Sequence, residues 1–152
     1  MKKNNQPEIV WHYTTGEKFG QIVESGCLLP TGVWVEPPEE PILWFSKHPY
    51  YEPTARKEYM KDGEIRLLTV EEMYRLGGGL VRLGMKPVTL LQGNALRAAA
   101  KMPLGIWNAL GRIALQQGSC AQHWWGTLDA IPVDSMVIEV MDEDMTWKRV
   151  QG

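Results

Sequence analysis

Between Glu8 and Val150, short runs of β-branched and aromatic residues alternate with helical stretches in no regular order. That irregular order is the strongest constraint on the fold. A βαβ repeat needs strand and helix in strict succession, whereas helices scattered among strand-like runs point to an α+β domain. The six strand-like runs are Glu8–Thr14, Ile42–Ser46, Glu64–Thr69, Leu80–Met85, Ser135–Met141 and Thr146–Val150. Helices are predicted after Thr15, from Pro53, after Thr69, around Asn94–Lys101 and over Leu104–Gln117. Gly26 suits a left-handed cap on the first helix. Thr69-Val70-Glu71-Glu72 is a capping box, and Gly77-Gly78-Gly79 stops the helix it opens. Pro103 divides the two later helices. Residues 31–41, with Gly32, Pro37, Pro38 and Pro41, read as loop, as does Gly118–Gly126. Residues 1–7 read as a flexible N-terminus and 8–152 as one domain.

Composition limits the partners. A length of 152 residues with 44% hydrophobic residues is enough for one domain with its own core. The net charge of −2 excludes a polybasic chain. It conceals one asymmetry: between Glu72 and Asp129 lie six basic residues, Arg75, Arg82, Lys86, Arg97, Lys101 and Arg112, and no acid. Such a block suits a phosphate-bearing ligand or a nucleic acid, or simply a solvated surface. No apolar run approaches the roughly 20 residues of a membrane span, and no apolar stretch follows Lys2-Lys3 as in a secretion signal. Cys27 and Cys120 make neither a disulfide framework nor a CxxC site, which suits a reducing cytoplasm. His12, His48 and His123 lack zinc-ligand spacing, so no metal is expected.

The informative segment is Ile9 to Lys57. Val10-Trp11-His12-Tyr13-Thr14 is followed by a helix ending in Ile22-Val23-Glu24-Ser25-Gly26-Cys27-Leu28, and then by Ile42-Leu43-Trp44-Phe45-Ser46. This order resembles the catalytic domains of the ADP-ribosyltransferase superfamily, the poly(ADP-ribose) polymerases and diphtheria toxin in particular. The resemblance covers about a third of the chain. It implies two small antiparallel sheets facing across a cleft that holds NAD. It also implies cleavage of the nicotinamide–ribose bond and transfer to a protein or nucleic acid. That chemistry passes through an oxocarbenium-like ribose, so it rests on positioning and electrostatics.

The resemblance assigns roles by position. His12 would bond a ribose hydroxyl, since an imidazole nitrogen can donate or accept. The backbone of Tyr13 would grip the nicotinamide amide, with Thr14 beside it. Trp44 falls at the strand aromatic and Ser46 at the small position. Tyr50, Tyr51 and Tyr59 are candidates for a second stacking ring, with Tyr51 taken into the cofactor set. A late-strand acid would stabilise positive charge on the ribose. Glu139 has the right residue type, Asp134 the better position, and Asp129 is a third candidate if Trp124-Trp125-Gly126-Thr127 is a substrate loop. Each residue also has a plainer reading: a core histidine, a core aromatic, a solvated acid. Two alternatives follow. One is a catalytically degenerate domain of this fold that binds a nucleotide or a partner. The other is an RNA 2′-phosphotransferase-like enzyme, against which stands the absence of Arg between Thr31 and Tyr50.

Overall fold

The computed structural model describes residues 8–31 and 35–150. The expected flexible N-terminus at 1–7 lies outside the described residues. The fold is α+β, with four helices and antiparallel sheets among the described residues. Those residues form ten strands, β1 (Val10–Thr15), β2 (Cys27–Leu28), β3 (Leu43–Ser46), β4 (Glu58–Lys61), β5 (Glu64–Leu67), β6 (Leu80–Met85), β7 (Trp124–Thr127), β8 (Ile131–Pro132), β9 (Val137–Met141) and β10 (Trp147–Arg149). The helices are α1 (Gly16–Ser25), α2 (Val70–Leu76), α3 (Gly93–Ala99) and α4 (Leu104–Gln116).

Six strands form one sheet in the order β10-β9-β6-β1-β3-β7, with β2-β8 and β4-β5 as separate pairs. In place of two sheets facing each other, one six-stranded sheet runs through the joint of β1 with β3. Local sequence explains most of the elements. Thr15 caps α1 by accepting a hydrogen bond from the Lys18 amide. Gly26 closes the helix at φ 80°, with its amide on the carbonyls of Ile22 and Val23, as a left-handed cap should. Both bonds of the Thr69–Glu72 capping box are present at α2.

Two elements depart from expectation. The stretch from Pro53 is a single 3₁₀ turn, Pro53–Ala55, and the predicted helix gives way to the β4–β5 hairpin. Asp62 and Gly63 take φ of 52° and 79°. That is the left-handed pair that a two-residue hairpin turn requires. Trp124–Thr127, expected as loop, is edge strand β7, paired with β3 from Leu43↔Thr127 to Ser46↔Trp124.

Strand alternation sends side chains into different cores. Val10, Leu43, Phe45, Val81, Leu83 and Trp125 pack on the face covered by Phe19 and Ile22 of α1. Trp11, Tyr13, Tyr51, Met73, Leu80 and Met141 pack together on the other. On that second side α3 lies close to β7: a Cβ at Gly126 would stand 2.7 Å from Ile42 and 3.0 Å from Leu96. Trp124 and Trp125 are both buried, so the segment raised as a substrate loop is a buried strand.

Candidate functional site

β1 is fully paired to β6, from Val10↔Met85 to Thr15↔Leu80. On its other side it meets β3 at one register pair, Trp11↔Ser46. Past that pair, Nδ1 of His12 reaches the main-chain carbonyl of Trp44 at 2.8 Å. A carbonyl only accepts, so Nδ1 carries the proton and neutral His12 presents Nε2 as an acceptor. Among the described residues Nε2 makes no hydrogen bond. Burial lowers the pKa of His12, the Trp44 bond opposes that, and Lys18 lowers it further.

Two chambers meet at this gap, one of about 460 Å³ and one of about 530 Å³. His12, Tyr13, Trp44 and Ala55 line both. The first chamber has aromatic walls from Trp11, Trp44, Phe45 and Trp124, with Ser46 and Glu52 among its polar groups. Trp44 is held by Trp107, stacked at 6.3 Å, and by Trp124, edge-on at 5.6 Å. Both are favoured aromatic geometries. The second chamber runs along α1 and is lined by Thr14, Lys18, Tyr51 and Lys57. Burial and then the neighbouring Lys18 lower the pKa of Lys57. Two ammonium groups that repel each other at the rim of a cavity favour an anion between them.

The structure therefore brings together His12, Tyr13, Thr14, Trp44, Ser46 and Tyr51 at one gap. Tyr13 and Tyr51 are buried, their rings 4.7 Å apart, and burial raises both phenols to about 12. Tyr13 donates its hydroxyl to the carbonyl of His48, which fixes its ring, and the residue lines both chambers.

The proposed acids are placed elsewhere. Register aligns Tyr13, Arg82 and Glu139 in one row, so Glu139 projects to the face opposite His12. There it accepts hydrogen bonds from Nε and Nη2 of Arg82, and Arg149 Nε lies 3.3 Å away. The Arg82 guanidinium lies over the rings of Trp11 at 3.9 Å and Trp147 at 4.7 Å, two cation–π contacts. Glu139 lines neither chamber, and its charge is committed to this ion pair. Asp134 sits in an exposed 3₁₀ turn and Asp129 in an exposed loop, and neither lines a chamber. The ion pair also removes Arg82 from any basic surface.

The acid that does line the first chamber is Glu52. Its Oε1 accepts from the hydroxyls of Ser46 and Ser119, each at 2.9 Å, and its Oε2 from the amide and hydroxyl of Thr54. Burial pushes this carboxyl up, but those donors, led by Thr54, outweigh it and hold it below its ordinary value. Beside it, His48 Nε2 shares a 2.8 Å hydrogen bond with His123 Nδ1. Burial and then the His48 charge lower the pKa of His123. Among the described residues, no group of three or more His, Cys, Asp or Glu is arranged to hold a metal, and no helix is long and apolar enough to cross a membrane. The chain matches no family model, no curated protein and no solved structure.

Proposed function

We propose that this chain binds NAD in the gap between β1 and β3 and transfers its ADP-ribose to a macromolecular acceptor, a protein or a nucleic acid. The observation that carries the reading is His12: its tautomer is set by the Trp44 carbonyl, its Nε2 makes no hydrogen bond among the described residues, and the residue lines both chambers. An acceptor nitrogen in that position suits a ribose hydroxyl. The aromatic chamber suits the nicotinamide ring, and the Lys18–Lys57 rim suits the pyrophosphate. Cleavage then relies on holding the dinucleotide while positive charge grows on the ribose.

A second reading, a nucleotide-binding domain of the same fold without transferase activity, is favoured by one observation. None of Glu139, Asp134 and Asp129 faces the gap. Incubation with NAD labelled in the adenylate and in the nicotinamide separates the two. A transferase releases nicotinamide and labels an acceptor. Binding by calorimetry with no nicotinamide release, across protein and nucleic-acid acceptors, establishes the second reading. Absence of NAD binding removes the transferase reading and restricts the second to other nucleotides.

A further inference from the structure

The two buried carboxylates among the described residues are stabilised in opposite ways. Glu139, 8% exposed, lies among guanidinium groups. Glu52, 5% exposed, receives hydrogen bonds from neutral groups only, and among the described residues no Lys or Arg bonds to it. The nearest base is His48, with Nε2 at 3.6 Å from Oε1. Burying a carboxylate without a permanent cation is costly, and a fold retains such a group most readily where a ligand supplies the missing charge. The surroundings match. Glu52 borders a chamber lined by Trp11, Trp44, Phe45 and Trp124, and aromatic rings attract cations. Glu58 adds a second negative group to the lining, and Arg56, also on it, turns its Nε to the Pro53 carbonyl at 3.2 Å.

We propose that Glu52 makes the aromatic chamber selective for a flat organic cation, namely the pyridinium ring of oxidised NAD. This rests on the NAD-binding reading above and adds to it a specificity-determining residue on the segment after β3. Glu52 also ties that segment to Ser119, beyond α4, through neutral hydrogen bonds. A glutamine preserves the shape of this tie and part of its bonding while removing the charge.

Calorimetry with NAD and NADH tests the inference, because the two ligands differ at the nicotinamide ring by one positive charge. A carboxylate one ring-width away, at an intermediate dielectric, predicts that the wild type prefers the oxidised form by about ten- to a hundred-fold. In Glu52→Gln the preference should collapse toward unity while both dinucleotides still bind. Ser119→Ala is a milder variant that keeps the charge but removes one of the two donors to Oε1, loosening the tie beside the chamber, and it should narrow the ratio several-fold. It decides the matter if Glu52→Gln does not fold. Equal affinities in the wild type, or an unchanged ratio in the variants that fold, overturn this inference and leave NAD binding standing. Failure of the wild type to bind either dinucleotide overturns the NAD reading and this inference together.

Discussion

Glu139 carries the sharpest prediction, because the sequence offers it as a catalytic acid and the structure makes it half of a buried ion pair. Its partner Arg82 donates to it twice, and the third guanidinium nitrogen, Nη1, donates to the Pro49 carbonyl at 2.6 Å. The two side chains are 10% and 11% exposed, so water does little to screen the pair. Replacing Arg82 by Met strands the carboxylate. Its remaining cation, Arg149, is 58% exposed, and an exposed charge compensates weakly. Breaking a buried pair in this way costs about 3–5 kcal/mol, a large share of the roughly 5–15 kcal/mol that holds a domain folded. For a chain of this size it lowers Tm by about 10 °C. Glu139→Leu alone should cost about 2–4 kcal/mol, since Arg82 keeps Pro49 and its two tryptophans. The double variant Arg82→Met/Glu139→Leu should recover most of that loss and lie within about 2 kcal/mol of the wild type. Urea unfolding of the four proteins gives the coupling energy directly, expected at about 3 kcal/mol or more. Additive single losses would refute the pairing. So would a Glu139→Gln protein of unchanged stability that binds NAD but releases no nicotinamide, since that is the behaviour of a working acid.

Other expectations follow from the same geometry. His12→Ala should weaken NAD binding about 5- to 150-fold by removing one ribose hydrogen bond; an unchanged calorimetric Kd makes His12 a core residue. Because His12 is held below its ordinary pKa, the unfolded chain takes up its proton first as pH falls. The stability linked to neutral His12 is therefore complete above about pH 6.5 and is lost as pH drops through its folded value. Unfolding curves from pH 7 to 5 should accordingly fall less steeply in His12→Gln. Gly84 faces Trp11 across β1 and β6, and a Cβ there would stand 2.6 Å from Trp11 ring carbons and from Ile9. Gly84→Ala should therefore cost about 1–3 kcal/mol and shift the fluorescence of Trp11; a neutral variant with an unaltered spectrum would contradict the packing.

Much of this fold is written in local patterns. The Thr15 cap, the Gly26 stop and the Thr69–Glu72 box are short-range devices, and each is where the residues place it. The β4–β5 hairpin is also signalled, by Asp62-Gly63, but Pro53 followed by Arg56-Lys57-Glu58 looks like a helix start and obscures it. β7 has no local signal, because four residues with adjacent tryptophans become a strand only through pairing with β3, far earlier in the chain. The site divides the same way. His12, Trp44 and Ser46 are visible because they lie on strands with clear patterns. The face carrying Glu139 is not, since alternation groups it correctly with Val137 and Met141, while only the register through β6 shows that His12 points the other way. Glu52 is hidden in Tyr-Tyr-Glu-Pro-Thr, where an acid before proline looks like an ordinary turn residue. Its donors Ser46 and Ser119 come from distant parts of the chain.

The single register pair between β1 and β3 bears on how the molecule comes apart as well as on what it holds. A sheet transmits strain through its rungs, and here one rung and one imidazole–carbonyl bond connect a four-strand panel, β10-β9-β6-β1, to a two-strand panel, β3-β7. In hydrogen exchange the pairing of β3 with β1 should open well before the two panels, which share one core, come apart. Amides along β6, flanked on both sides, should exchange slowest, and those of β3 that face β1 should exchange far sooner than those that face β7. A bound ligand whose own amide spans the gap would act as a missing rung. Its signature would be slower exchange at Trp125–Thr127 of β7, which line neither chamber.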